Sequence, residues 1–110
     1  MKNTVTVLGT VYKIEQRNDT DDEQLKADLG GYCDVHKRLI VIRRNWENTP
    51  DVAMLKEILR HEIVHAFFYE SGLWDSSNEN SAWAANEEMT DWLAIQGPKI
   101  FKAWEEAEAL

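Results

Sequence analysis

The stretch that decides the fold is residues 49–72, which read TPDVAMLKEILRHEIVHAFFYESG. Its apolar side chains recur at helical spacing, at Val52, Leu55, Ile58, Leu59, Ile63, Ala66 and Phe67. Thr49 is a favourable N-cap residue, Pro50 suits the first helical position, and Gly72 suits the end of a helix. The stretch therefore predicts an amphipathic helix that packs one face on the core.

The middle of this helix carries the motif His61-Glu62-Ile63-Val64-His65. Residues four apart lie one above the other on a helix, so His61 and His65 can reach one cation, and imidazole suits zinc. Glu62 lies beside such a cation, where a carboxylate can take a proton from zinc-bound water. Two histidines at this spacing are more often structural. The inserted glutamate and the amphipathic helix favour a zinc site here.

A catalytic zinc ion takes three protein ligands and keeps one position open. The remaining histidine, His36, precedes the motif, so we expect an acid from further along the chain as the third ligand. Asp75 and Glu79 belong to a polar stretch and are expected to be solvated. Glu87 is the expected ligand, and Glu88 is its competitor because a rotation by one residue would exchange them.

Asp91 follows Glu87 by four residues, so the two acids share a face of the predicted second helix. Glu87 can bind the metal while Asp91 accepts the outer N–H of a ligand histidine, expected to be His61. Such a contact would fix the tautomer of the imidazole ring and its orientation toward the metal.

His-Glu-x-x-His followed by Asn-Glu-x-x-x-Asp resembles the gluzincin family of zinc metallopeptidases. More narrowly, the layout is similar to small phage and prophage metallopeptidases of the ImmA/IrrE-like, or minimal-gluzincin, type. The resemblance implies a zincin-like fold, zinc bound by His61, His65 and Glu87, Glu62 as general base, and Asp91 as the supporting acid. It covers most of the chain, through Lys37–Ile42, Leu59–Glu62 and Trp92–Ile95.

Other segments predict a small sheet and further helices. Residues 4–16 are rich in β-branched side chains and predict one strand, bent at Gly9. A short helix is expected from Thr20 to Gly30, followed by a β-hairpin with arms at 32–34 and 38–43.

After the motif we expect a polar loop at 72–80, with a capping box at Ser76 and Glu79. A helix from Ser81 to Gln96 follows, and Gly97-Pro98 is expected to break it. A last helix then carries Ile100, Phe101 and Trp104 toward the core. Together these segments predict one α+β domain, residues 1–110. Its three-stranded, mostly antiparallel sheet packs on an active-site helix and a Glu-bearing helix.

The composition of the chain indicates which partners and which cellular location to expect. The net charge of −8 lacks the basic surface that a nucleic-acid-binding protein uses, so no nucleic-acid partner is expected. The single cysteine, Cys33, cannot form an internal disulfide and is expected to be a small core residue. No apolar run has the length of a membrane span or the character of a signal peptide, so we expect no membrane partner and a cytoplasmic location.

These features predict zinc-dependent hydrolysis of a protein or peptide, with the substrate extended along the free edge of the sheet. The alternative is a weakly active or inactive zinc-containing module that binds a protein partner, phage-related in setting. A second electrophile opposite the zinc is expected among Tyr32, His36 and Tyr69, although each is more often structural. Trp92 and Trp104 are expected in the core, and Trp74 is a candidate for the wall of a groove.

Overall fold

The structure is a computed structural model that describes residues 1–27, 29–73 and 86–110. Its regular elements are β1 (Thr4–Val7), β2 (Thr10–Arg17), two 3-10 helices (Asp19–Asp21 and Glu23–Ala27), β3 (Gly31–Asp34), β4 (Leu39–Arg43), α1 (Val52–Glu70) and α2 (Glu87–Glu106). The chain is therefore an α+β protein, as the sequence predicts. The two 3-10 helices replace the single short helix that was expected before Gly30.

The sheet has four strands rather than three, because the first expected strand is a hairpin. The turn between β1 and β2 consists of Leu8 and Gly9, with φ angles of 48° and 86°. Two successive left-handed residues form the tight turn whose twist matches a hairpin, and glycine adopts that conformation at little cost. Gly9 therefore reverses the chain, whereas the sequence predicted a bend.

The strand order is β1-β2-β4-β3, and the sheet is mixed, with two antiparallel strand pairs and one parallel pair. Strand β4 pairs antiparallel with β3 and parallel with β2, with Ile14 opposite Ile40 in the parallel pair. After β2 the chain crosses to the far edge, forms β3, and returns as β4 into the space between them. Strand β3 thus becomes an edge of the sheet.

Helix α1 packs on one face of this sheet. The fully or nearly buried core residues are Val7, Tyr12, Ile14, Ile40, Ile42 and Ala66. The helix begins two residues later than expected because Asp51, rather than Thr49, is the N-cap and accepts a hydrogen bond from Met54 N at 2.8 Å. At the other end, Glu70 accepts hydrogen bonds from Thr10 and Tyr12 of β2. Both ends of α1 are therefore defined by side-chain contacts.

Helix α2 runs through Gly97 and Pro98, so the predicted break there is wrong. Proline cannot donate the backbone hydrogen bond that the carbonyl four residues earlier would accept, in this case that of Ala94. The Arg60 side chain of α1 donates to that same carbonyl, with 2.6 Å between Nε and the oxygen. A contact from the neighbouring helix thus replaces the hydrogen bond that Pro98 removes.

The expected core positions of Trp92, Phe101 and Trp104 are also wrong, whereas Ile100 is half-buried. Trp92, Phe101 and Trp104 each expose more than half of their surface, at 56%, 51% and 52%. The buried residues of α2 are instead the small side chains of Thr90 and Ala94. Small residues at this contact let α2 approach α1 closely, which brings the first turns of α2 to the motif.

Three expectations lie outside the described residues: the capping box at Ser76 and Glu79, the solvated acid Asp75, and Trp74 as a groove residue. The start of a helix at Ser81 lies there too. In the part of the chain that is described, no helix is long and apolar enough to cross a membrane.

Candidate metal centre

The two motif histidines lie side by side on α1, with 14% and 11% of their side chains exposed for His61 and His65. Their Nε2 atoms are 3.1 Å apart, and the rings meet at an interplanar angle of 76°. The four-residue spacing and the packing of α1 on the sheet direct both Nε2 atoms toward the same point in the cleft. The pair expected from the sequence is therefore brought together.

Glu87 reaches this point from α2. Its Oε2 lies 2.9 Å from His61 Nε2, and its Oε1 lies 2.9 Å from His65 Nε2. Asn86 caps the helix by accepting a hydrogen bond from Met89 N, which makes Glu87 the first helical residue. Glu88, the competing candidate, is exposed and contacts neither histidine among the described residues.

Asp91 makes the contact with His61 that was expected from the sequence, at 2.6 Å between Oδ1 and Nδ1. With Nδ1 directed to this carboxylate, His61 presents Nε2 to the point shared with His65 and Glu87. The outer nitrogen of His65, by contrast, is buried and has no hydrogen-bond partner in the described structure.

The donor set fits a zinc ion. A tetrahedral zinc with bonds of about 2.0–2.1 Å separates its ligand atoms by about 3.3–3.4 Å. The two Nε2 atoms are 3.1 Å apart, a few tenths of an ångström closer than that, and each lies 2.9 Å from a different oxygen of Glu87. Two imidazoles and one carboxylate are also a donor set that catalytic zinc sites use. His61, His65 and Glu62 likewise offer ligand atoms within 4.8 Å of one another, so Glu62 adjoins the same point.

Burial perturbs two groups of the site. Desolvation raises the pKa of Glu62 to about 7, because its carboxyl is removed from water, and the charges of Glu87 and Asp91 act in the same direction. Desolvation also lowers the pKa of His65 despite the nearby charge of Glu87. A neutral imidazole is the form that binds a metal.

These side chains line a cleft of about 520 Å³ between three elements. Helix α1 forms the floor and α2 forms one wall. Strand β3 with the residues before it forms the other wall, through Leu29, Gly30, Gly31, Tyr32 and Cys33. The candidate metal ligands therefore face an open groove rather than a closed core.

Among the strands that the structure describes, β3 pairs only with β4, so its other backbone edge faces this cleft. Gly30 O accepts a hydrogen bond from Arg43 N at 2.8 Å. Backbone direction alternates along an antiparallel strand, so the N–H and C=O groups of Gly31 and Cys33 point away from β4. A side chain at Gly31 would lie 2.6 Å from the carbonyl oxygen of Val41, so this position in the wall requires glycine.

The three candidates for a second electrophile lie in different places. Tyr32 lines the cleft, but its hydroxyl donates a hydrogen bond to Asp22 at 2.5 Å. His36 and Tyr69 pack edge to face with ring centroids 5.7 Å apart, and neither lines the cleft. Cys33 packs against the core, and burial raises the pKa of its thiol to about 12, in agreement with the prediction of a small core residue.

Several contributors to the site were not predicted, among them Leu29, Gly30 and Gly31 of the wall and three residues of α1. Glu57 and Ile58 line the cleft one turn before His61, and the helical spacing from His61 could have identified both. Arg60 holds α2 against α1 through the carbonyl of Ala94. Its role depends on which residue α2 places opposite it, and the local sequence carries no signal for that.

No family model, curated protein or solved structure matches this chain. What the protein does is therefore inferred from the cleft and from the side chains that converge in it.

Proposed function

We propose that this protein is a zinc-dependent metallopeptidase with a zincin-like fold. The observation that carries the proposal is the convergence of His61, His65 and Glu87 within about 3 Å of one another, beside the buried Glu62. A purely structural zinc site is closed by four protein ligands and does not need a neighbouring base. Three donors in an open cleft with a carboxyl alongside favour catalysis.

In this proposal His61, His65 and Glu87 hold the ion. Zinc held there supplies Lewis-acid chemistry, since it acidifies water and polarises the carbonyl of a substrate. Glu62 accepts the proton of the attacking water and delivers it to the leaving nitrogen. Asp91 keeps the ring of His61 oriented through their 2.6 Å contact.

The substrate we propose is a protein or peptide segment bound in extended form along β3. The outward backbone groups of Gly31 and Cys33 are able to pair with such a segment as an added strand. Because α1 runs beneath this edge, a segment paired with β3 passes over His61 and Glu62. We propose a cytoplasmic setting for this reaction, in which the unpaired Cys33 stays reduced.

A second candidate is a zinc-containing module that binds a partner protein without cutting it. One observation favours it: the hydroxyl of Tyr32 is engaged by Asp22, and His36 and Tyr69 lie outside the cleft. Within the described part of the chain, none of these three is a free donor for the developing oxyanion. The presence of Glu62 beside the metal position favours the peptidase, because a module that only binds a partner does not need a general base there.

The test compares zinc-loaded wild-type protein with Glu62→Gln on a mixture of peptides, read by mass spectrometry. Glu62→Gln should keep its zinc and lose about 10²- to 10⁴-fold in cleavage rate, the usual contribution of general acid–base catalysis. Glu88→Gln, an exposed acid on α2, is the matched control and should cleave at the wild-type rate. Equal cleavage by Glu62→Gln would refute the role of that residue, and a zinc-loaded wild type that binds peptides without cleaving them would favour the binding module.

A further inference from the structure

The cleft continues for one helical turn beyond the metal ligands, toward the start of α1. Glu57 and Ile58 line it there from the helix, and Leu29 lines the opposite wall next to Gly30, where an added Cβ would lie 3.3 Å from Cδ1 of Ile58. Glu57 and Ile58 are half-buried, and Leu29 exposes 43% of its surface at the rim. This end of the cleft therefore combines two aliphatic side chains with one carboxylate.

Glu57 has no ion-pair partner among the side chains that the structure describes. On the same helix, the adjacent Lys56 is exposed and forms no ion pair among the described residues, and Arg60 directs its Nε to the carbonyl of Ala94. The other acids of the cleft are already engaged, since Glu87 and Asp91 contact His61 and Glu62 adjoins the metal position.

We infer that Glu57, Ile58 and Leu29 form a subsite for a substrate side chain with an aliphatic stem and a cationic head, which is lysine or arginine. This inference rests on the proposed function and adds a substrate class to it. Lysine and arginine bury their methylene groups against apolar surface while the charged end stays near water. Leu29 and Ile58 receive the stem, and Glu57 pairs with the head.

The position of the subsite relates it to the bond that is cut. Glu57 precedes His61 by four residues, which is about 6 Å along a helix. An extended peptide advances about 3.3 Å per residue, so that distance spans about two residues of substrate. The basic residue therefore lies about two positions from the scissile bond.

The charge of the cleft supports the same preference. Every charged residue that lines it, apart from the histidines, is acidic: Glu57, Glu62, Glu87 and Asp91. A cleft lined by one sign of charge attracts the opposite charge and disfavours its own. Acidic substrate side chains are therefore rejected at this end, where the charge of a bound zinc ion is more distant.

The test measures binding of capped, fluorescein-labelled alanine heptapeptides to zinc-loaded Glu62→Gln protein, so that cleavage is not needed as the readout. The central residue is lysine, norleucine or glutamate. The lysine peptide should bind about five-fold more tightly than the norleucine peptide, which is the size expected of a half-exposed ion pair, and the glutamate peptide should bind least. The additional change Glu57→Gln should make lysine and norleucine equal, and Glu57→Lys should favour glutamate.

Glu47→Gln, an exposed acid outside the cleft, is the control and should leave all three affinities unchanged. The zinc content of every variant is measured on the same samples. Loss of zinc from the parent protein would overturn the proposed function itself. If zinc is retained, a lysine preference that survives Glu57→Gln would overturn the subsite alone. Failure of all three peptides to bind would overturn the proposed peptide substrate and the subsite with it.

Discussion

The two helices of the candidate metal centre hold their side chains in different ways. Helix α1 presents His61 and His65 with 14% and 11% of their side chains exposed, whereas α2 presents Glu87 and Asp91 with 69% and 61% exposed. The histidines stand on a helix that is packed on the sheet. The acids stand on a helix whose buried contacts are small residues and the hydrogen bond from Arg60.

This difference indicates that the two helices contribute unequally before metal binds. The histidine pair is oriented by the core, so little conformational freedom remains to be lost on binding. The acids rely on their contacts with the imidazoles and on the position of α2. We therefore expect substitutions on α1 to affect metal binding directly, and substitutions on α2 to have smaller effects the farther they lie from its first turn.

The largest effect is expected for the histidines. A structural zinc site of four ligands gains about 10–16 kcal/mol, so one ligand contributes on the order of 3 kcal/mol. His61→Ala and His65→Ala should each weaken zinc binding by about 100-fold or more, measured by competition with a chromogenic chelator. His36→Ala removes the one histidine outside the cleft and should bind zinc as the wild type does. Wild-type zinc affinity in His61→Ala or in His65→Ala would show that the substituted histidine is not a zinc ligand.

Asp91 should have the next largest effect. Partners that orient a ligand histidine typically contribute 10- to 100-fold in metal affinity. Asp91→Asn should therefore weaken zinc binding by about 10-fold or more, in the same competition assay. Glu105→Gln tests an exposed acid at the far end of α2 and should have no effect. If both variants bind zinc equally well, the 2.6 Å contact between Asp91 and His61 does not orient the ligand.

The contact between Arg60 and Ala94 should have a smaller effect, on stability. Removal of a charged donor from a partly buried carbonyl costs about 1–3 kcal/mol, so Arg60→Ala should lower the free energy of unfolding by about that amount. Pro98→Ala restores a backbone N–H that can bond the same carbonyl. In the Pro98→Ala background, Arg60→Ala should therefore cost less, and a double-mutant cycle by urea denaturation measures the difference. Additive effects would show that Arg60 does not substitute for the missing backbone donor.

The smallest effect is expected at the exposed end of α2. Trp104 exposes half of its surface, so Trp104→Gln should change the free energy of unfolding by no more than about 0.5 kcal/mol, with zinc affinity unchanged. Thermal and urea denaturation of the zinc-free protein measure this. A loss of several kcal/mol would mean that the core extends along α2, as the sequence had suggested.

The parts of the site that could be predicted from the sequence are those set by helical spacing. His61 and His65 share a face, as do Glu87 and Asp91, and these relations hold wherever the two helices lie. In the structure, the choice of Glu87 over Glu88 follows from the cap at Asn86, which the sequence analysis did not predict. Local rules were sufficient for both pairs.

The remaining errors concern one local turn and several contacts between distant segments. Gly9 is predicted as a bend within one strand, because the positive φ that Leu8 adopts in the two-residue turn is uncommon for leucine. Pro98 was read as a helix end because the donor from Arg60 lies 34 residues away from Ala94. The exposure of Trp104 depends on how far α2 extends past α1. Strand order, helix continuation and exposure are properties of tertiary packing, which periodicity does not report.

The central claim is that two histidines of α1 and one acid of α2 hold a single zinc ion. It is tested most directly by elemental analysis of untagged protein, comparing the wild type with Glu87→Ala and Glu88→Ala after dialysis against a weak chelator. We predict about one zinc per chain in the wild type and in Glu88→Ala, and a marked loss in Glu87→Ala, because Glu87 contacts both imidazoles at 2.9 Å. Full zinc retention by Glu87→Ala, or no zinc in the wild type after reconstitution, would contradict the claim.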